Sequence, residues 1–236
     1  MTHSAHAPTT THVLLDLDGT LTDSQPGIGR SLVHAFTACG YPEPTTEMIR
    51  SMIDPPFELS FPEHGVDVHD IERVIDAYRE RYDEVGLFEN SLYDGVPEMM
   101  ETLRSAGHVL TLATAKPENL AVRITAHFGL TEFFRTEVGS SNEVGSDRRT
   151  KGEVIREAFR RLAIGPHDRI ALDHVVMIGD RDHDVEGAHM NTIDCIGVSW
   201  GYGSHEELRH AGARVVVDTP AEVAGAVAST YRSRES

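Results

Sequence analysis

The spacing of apolar residues divides the chain into three stretches. A short apolar run, Val13-Leu14-Leu15, predicts a buried first strand over residues 13–17, because such runs are typical of strands covered on both faces. Apolar residues then recur at three- and four-residue spacing, most clearly over 69–85, so residues 23–92 are predicted to be helical, with no strand. Beyond this stretch, short apolar runs alternate with helical patterns.

The alternating stretch predicts a parallel sheet, because strands separated by helices place helices on both faces of such a sheet. Ser24, Thr46 and Thr150 precede helical patterns and are predicted N-caps, since their hydroxyls can accept from free helix N–H groups. The fold class is therefore α/β, in three layers. Strands are predicted at residues 109–114, 136–140, 175–178, 195–199 and 214–217, and helices at 96–106, 117–128, 152–162, 185–190, 206–210 and 220–231.

Two aspartates follow the first predicted strand. Asp16 and Asp18 are two residues apart, so a strand places both side chains on one side. Two close carboxylates repel each other and lose solvation unless a cation or a reaction uses them. Gly19 lets the backbone turn sharply and lets a ligand approach. The sequence here predicts a site for a hard divalent cation and an electrophile.

Three later segments carry polar groups to the same edge of the predicted sheet, where ligands bind in open α/β folds. They are Thr114-Ala115-Lys116 at a strand end, Thr150-Lys151-Gly152 at a helix start, and Gly179-Asp180 followed by Asp184. Mg²⁺ prefers oxygen ligands, and a phosphoryl group prefers hydroxyl, N–H and lysine partners. The combined set therefore suits a magnesium-bound phosphoryl group.

The net charge limits the kinds of molecule that the chain is expected to bind. The net charge is -17, with 38 acidic against 21 basic residues, which argues against nucleic acid polymers and anionic membranes. Only Lys116 and Lys151 among the basic residues are lysines. Lysine is a compact point charge whereas arginine is a planar fork, so these two positions are candidates for sites that need a point charge.

Two further features bear on location. No apolar run approaches the roughly 20 residues that span a bilayer, and the first ten residues lack the pattern of a signal peptide. Cys39 and Cys195 are the only cysteines, which suggests neither a disulfide framework nor a zinc site. We expect a cytoplasmic protein, and both a monomer and a homodimer stay open.

The four polar segments, in this order, resemble the four motifs of the haloacid dehalogenase-like hydrolase superfamily. The DxDGTLxDS pattern at residues 16–24 is the most specific, and the resemblance covers essentially the whole chain. The helical stretch resembles the alpha-helical cap of the phosphoglycolate phosphatase-like branch, with DPPFELSF similar to its cap loop and ENSLYDGV to its return linker. The resemblance implies a Rossmann-like core, residues 1–22 and 93–236, and a small all-helical cap domain, residues 23–92.

The resemblance also implies roles for the aspartates. Asp16 would be the nucleophile that attacks phosphorus and forms an aspartyl-phosphate. Asp18 would act as general acid toward the leaving oxygen and then as general base toward water. Asp16, Asp18 through its backbone carbonyl, and Asp180 would hold Mg²⁺. Asp184 would support the acidic cluster.

The remaining motif residues would act on the phosphate. The resemblance implies that Thr114 and the N–H of Ala115 bind phosphoryl oxygens, and that Lys151 neutralises phosphate charge and orients Asp16. Lys116 is a supporting residue, either a second cation behind the site or a surface residue at the start of a helix.

The activity implied is Mg²⁺-dependent hydrolysis of a small phosphorylated metabolite of the phosphoglycolate type. 5′-Nucleotidase, sugar-phosphate phosphatase or phosphomutase, and a non-catalytic phosphometabolite-binding protein are the alternatives. Where the family loop commonly has Gly-Pro-Pro, this chain has Asp54-Pro55-Pro56. An inward Asp54 would disfavour an acidic leaving group such as glycolate and favour a nucleoside or sugar, unless Arg50, one helical turn away, cancelled its charge.

Overall fold

A computed structural model describes residues 10–53, 57–141, 148–165 and 167–232. The strands are β1 His12–Leu15, β2 Thr22–Asp23, β3 Ser91–Leu92, β4 Val109–Pro117, β5 Phe134–Ser140, β6 Val175–Gly179, β7 Asp194–Val198 and β8 Val215–Val217. The helices are α1 Gln25–Ala38, α2 Thr46–Met52, α3 Phe57–Glu63, α4 Ile71–Tyr82, α5 Val96–Ser105, α6 Glu118–His127, α7 Lys151–Leu162, α8 Arg169–Leu172, α9 Asp182–Met190, α10 His205–Ala211 and α11 Pro220–Arg232.

The chain forms two compact units. One comprises Met1–Thr22 together with Leu92–Ser236, and the other comprises Asp23–Ser91. The first, the α/β unit, contains a six-stranded sheet in the order β5-β4-β1-β6-β7-β8. All of its neighbouring strands run parallel. The predicted α/β, Rossmann-like fold class is confirmed.

Strand β1 lies at the centre of this sheet because its side chains suit complete burial. Val13, Leu14 and Leu15 are buried, and β1 pairs with β4 on one side and β6 on the other. The chain order therefore reverses beside β1, and the carboxyl ends of β4, β1 and β6 border a common crevice. Asp16 and Asp18 leave β1 at this point.

An apolar cluster under the sheet holds the helices that carry site residues. Val154, Ile155 and Ala158 of α7 and Val185 of α9 are buried together with Met177 of β6. This packing fixes the first turns of α7 and α9, where Lys151 and Asp184 lie. In the described ranges, no helix is both long and apolar enough to cross a membrane.

The second, helical unit consists of α1 to α4 and a 3₁₀ turn. Its interior is aromatic: the rings of Phe57 and Phe61 stack with centroids 4.7 Å apart, and those of Tyr78 and Tyr82 stack at 5.0 Å. Such pairs add about 0.5–1.5 kcal/mol beyond the area they bury. These aromatic residues therefore stabilise the unit.

Several local predictions need correction. Ser24 makes no capping hydrogen bond from its side chain, and Thr45 rather than Thr46 caps α2, its hydroxyl accepting from the N–H of Met48 at 3.2 Å. Periodicity detects helices but not which neighbouring hydroxyl has extended backbone angles at the cap. The Thr150 cap is confirmed, since Thr150 and Glu153 form a capping box.

The helical stretch also contains strand residues at its two ends. Thr22–Asp23 and Ser91–Leu92 pair as a two-stranded sheet. The prediction of no strand over residues 23–92 is therefore wrong at its first residue and its last two. Two-residue strands are too short to produce the alternation that reveals a strand in sequence.

Candidate active site

The turn after β1 brings Asp180 against the Asp16–Thr20 segment. Gly19 has a φ of 83°, and a Cβ atom there would lie 2.2 Å from Oδ2 of Asp180. Thr20 donates from its hydroxyl to Oδ1 of Asp180 at 3.1 Å. Only glycine combines this backbone angle with this close approach. The sequence therefore places a third carboxylate beside the two of the turn.

Lys151 lies between two further carboxylates. Its Nζ is 2.7 Å from Oδ1 of Asp16 and 2.7 Å from Oδ1 of Asp184, and it donates to the backbone oxygen of Ala113 at 3.1 Å. The residue is only 3% exposed. A Cβ at position 187 would lie 2.8 Å from Cγ of Lys151, so a glycine at this position leaves room for the Lys151 side chain. Lys151 is thus fixed against Asp16, as its predicted orienting role requires.

The first turn of α9 fixes Asp184. The carboxylate is fully buried, and its Oδ2 accepts from the N–H of Arg181 at 3.1 Å. A Cβ at position 179 would lie 2.2 Å from Cγ of Asp184, so Gly179 admits the side chain. Asp184 therefore contributes a negative charge next to Lys151.

The end of β4 carries the other motif residues. The hydroxyl oxygen of Thr114 accepts from the N–H of Lys116 at 3.2 Å, and Ala115 between them is exposed. Nζ of Lys116 lies 2.6 Å from Oδ2 of Asp18. Both lysines of the chain therefore contact the aspartates of the β1 turn.

A loop after β7 also contacts the site residues, and the sequence motifs did not predict it. Tyr202 donates its N–H to Oδ2 of Asp180 at 2.8 Å, and the indole N–H of Trp200 donates to the backbone oxygen of Thr20 at 3.0 Å. A Cβ at position 201 would lie 2.3 Å from the backbone oxygen of Gly19. A glycine-containing aromatic loop directly after a parallel strand is the signal that could have revealed it.

Two further residues, Arg50 and Asp54, were predicted to set specificity. Arg50 is exposed on α2 of the helical unit. Asp54 falls outside the described residues. The roles of both stay predictions.

Asp16 and Asp184 share the ammonium of Lys151, and burial and the charge of Lys151 shift the pKa of each carboxyl group in opposite directions. Burial raises the pKa of Asp16 from 3.8 to about 6, even though Lys151 favours the ionised form. Burial also opposes the charge of Asp184, but Lys151 and His183 outweigh it and lower the pKa of that carboxyl. Burial disfavours the ammonium of Lys151, whereas Asp16 and Asp184 stabilise it and raise its pKa. More positive charge near Asp16 would keep it ionised at neutral pH.

The residues present fit a divalent cation. In the part of the chain that the structure describes, Lys151 pairs with both Asp16 and Asp184 and Lys116 pairs with Asp18, so the acidic groups of the site outnumber the two ammonium groups. Carboxylate and carbonyl oxygens are preferred Mg²⁺ ligands, so the carboxylates of Asp16 and Asp180 and the backbone carbonyl of Asp18 form a suitable donor set.

The distances between ligand atoms, taken alone, suggest a different set of metal ligands. Among the described residues, ligand atoms of Asp16, His183 and Asp184 lie within 4.8 Å of one another. Lys151 is 2.7 Å from both of these carboxylates, so its ammonium already provides the cation between them. A metal ion there would be repelled by Lys151, and the carboxylates around Gly19 are the better candidates.

Residues 13–198 match the model of the haloacid dehalogenase-like hydrolase family. The chain belongs to this family. A 5′-nucleotidase of Pseudomonas aeruginosa is 40% identical over 84% of this chain and 86% of its own length. Tyrosine-protein kinase PtkA of Mycobacterium tuberculosis is 37% identical over 86% of this chain and 67% of its own.

A solved structure also matches this chain over most of its length. The crystal structure of a predicted phosphatase from Clostridium acetobutylicum is 36% identical, with a TM-score of 0.81 over 92% of this chain and 98% of its own. The family and its phosphatase-named members identify this protein as a phosphoric monoester hydrolase.

Proposed function

We propose that the protein is a Mg²⁺-dependent phosphatase that hydrolyses nucleoside 5′-monophosphates through an aspartyl-phosphate on Asp16. The observation that carries this proposal is the buried ammonium of Lys151, 2.7 Å from Oδ1 of Asp16. A carboxylate attacks a phosphate dianion effectively only where cations offset their repulsion. The 5′-nucleotidase of Pseudomonas aeruginosa supports the choice of substrate class over phosphoglycolate.

In the first step, a carboxylate oxygen of Asp16 forms a bond to phosphorus while the bond from phosphorus to the leaving oxygen breaks. Asp18 gives its proton to that oxygen, so the product leaves as a neutral alcohol. Thr114, the N–H of Ala115 and Lys151 bind the phosphoryl oxygens and offset their charge. Mg²⁺, held by Asp16, Asp18 and Asp180, would supply further charge neutralisation and orient the phosphoryl group.

In the second step, water replaces Asp16. Asp18, now ionised, accepts a proton from the water while the water oxygen bonds to phosphorus and the bond to Asp16 breaks. Inorganic phosphate leaves and the Asp16 carboxylate returns to its ion pair with Lys151. One group acting first as acid and then as base typically contributes about 10²–10⁴-fold to each step.

A substrate panel tests the proposed class. Nucleoside 5′-monophosphates, phosphoglycolate and sugar phosphates are compared by kcat/KM with Mg²⁺ present, and ATP with a tyrosine peptide forms a kinase arm. We expect the nucleotides to rank first, because the 40% identical chain from Pseudomonas aeruginosa is named a 5′-nucleotidase and because, unlike phosphoglycolate, nucleotides leave as neutral alcohols. A preference for phosphoglycolate would overturn the substrate class, and phosphoryl transfer from ATP to the peptide without hydrolysis of any monoester would overturn the phosphatase.

Metal removal tests the cation. EDTA should abolish turnover and Mg²⁺ should restore it, because Asp16, Asp180 and the phosphate dianion otherwise repel one another. Mg²⁺ should also raise the melting temperature of the EDTA-treated protein, since a ligand that binds only the folded state stabilises it. Turnover that EDTA leaves unchanged would contradict the assigned donor set.

A further inference from the structure

The ion pair between Lys116 and Asp18 has no role in the chemistry described so far. Nζ of Lys116 lies 2.6 Å from Oδ2 of Asp18, and the two side chains are only 6% and 14% exposed. Bringing two charges out of water costs free energy that close contact must offset. The pair is therefore a specific feature of the site, distinct from a solvated surface contact.

The sheet sets the position of Lys116. Its N–H donates to the Thr114 hydroxyl oxygen at 3.2 Å. A Cβ at position 139 would lie 2.5 Å from the carbonyl oxygen of Lys116, so glycine in β5 lets the two backbones meet. Strand β4 pairs with β5 as far as Pro117 and Ser140. Lys116 thus projects from a fixed strand end toward the turn after β1.

The two oxygens of Asp18 have different surroundings. Oδ2 faces the Lys116 ammonium, whereas Oδ1 is buried and has no hydrogen-bond partner among the residues that the structure describes. An ammonium donates hydrogen bonds and accepts none, so a proton carried by this carboxyl group belongs on Oδ1. Lys116 therefore determines which oxygen of Asp18 can act as the acid.

We propose that Lys116 is a positioning residue: it holds Oδ2 of Asp18 so that Oδ1 presents its proton to the leaving-group oxygen. The Oδ1–H bond breaks as the bond between phosphorus and the leaving oxygen breaks, and the proton stays on the departing alcohol. This role rests on the proposed function and deepens it.

The positions of the two lysines in the sequence support a positioning role for Lys116. Of 21 basic residues only Lys116 and Lys151 are lysines, and each contacts a different aspartate of the β1 turn. A compact ammonium fits a single buried oxygen, whereas a guanidinium is larger, planar and suited to bidentate contact. Lys151 thus contacts the nucleophile Asp16, and Lys116 contacts the general acid Asp18.

The test compares two leaving groups in wild type, K116M, D18N and the K116M/D18N double variant. Single-turnover phosphorylation and steady-state kinetics are measured with a nucleoside 5′-monophosphate, whose alkoxide needs a proton, and with p-nitrophenyl phosphate, whose phenolate does not. For K116M we expect a loss of about 10²-fold with the nucleotide and less than about tenfold with p-nitrophenyl phosphate. KM should stay nearly constant.

The double variant decides whether Lys116 acts through Asp18. It should be no slower than D18N, because two changes on one pathway are not additive. Additive losses, or equal losses on both substrates with a raised KM, would overturn the proposal and assign Lys116 to phosphate binding. K116R should recover part of the nucleotide rate, and K116Q replaces K116M if that variant melts early. A wild type inactive on both substrates would instead refute the proposed function.

Discussion

Replacing Asp16 with asparagine should lower kcat by about 10⁴-fold or more, because an amide cannot form the covalent intermediate on which the proposed route depends. KM or the dissociation constant of inorganic phosphate should change far less, since Thr114, Ala115 and Lys151 stay in place. Steady-state kinetics with Mg²⁺ and calorimetric titration with phosphate provide the two measurements. Wild-type turnover in D16N would exclude Asp16 as the nucleophile.

Stability provides the control for D16N. The pKa of Asp16 is raised by burial from 3.8 to about 6, so the folded protein binds this proton more tightly than the unfolded chain does. In EDTA, the free energy of unfolding should therefore fall as pH rises from 3.8 to about 6. The fall should be smaller in D16N, because the amide at position 16 does not ionise. Thermal melts across this range check the sign. A larger fall in D16N would contradict the burial argument.

Replacing Lys151 with methionine should reduce kcat/KM by about 10²–10³-fold, the usual effect of removing one preorganised charge that stabilises a transition state. The change also leaves Asp16 and Asp184 buried without their shared cation. Breaking a buried pair in this way costs about 3–5 kcal/mol. Kinetics with a nucleoside monophosphate and thermal melting measure the two effects separately.

A matched variant separates catalysis from stability at Lys151. K151M/D184N removes one carboxylate together with the ammonium, so it should recover much of the melting temperature lost in K151M. It should not recover kcat/KM, because Asp16 still lacks the charge 2.7 Å away that offsets repulsion from the phosphate. Recovery of activity along with stability would mean that Lys151 has only a structural role.

Local sequence was sufficient for the features that depend on short spacing. Asp16 and Asp18 could be assigned to one strand end because an apolar run and a glycine border them. The Thr150 cap was predicted because its hydroxyl directly precedes a helical pattern, and the structure confirms it. These features depend on neighbours within one turn or strand, so the backbone pattern alone determines them.

Contacts between distant segments could not be predicted in the same way. Lys116 and Asp18 are 98 positions apart, and their contact depends on how β4 lies beside β1. The Trp200 contact with Thr20 spans 180 positions and depends on close approach at Gly201. Sequence order identified Lys116 as a candidate, but the parallel sheet determines which aspartate it contacts.

The covalent intermediate is the central claim, and chemical trapping tests it most directly. Wild-type protein is quenched during turnover, reduced with borohydride and analysed by peptide mass spectrometry, because borohydride converts an aspartyl-phosphate to homoserine. The account predicts homoserine at residue 16 only when substrate and Mg²⁺ are present, and none in D16N. Homoserine at residue 18, or turnover with no trapped adduct at residue 16, would contradict it.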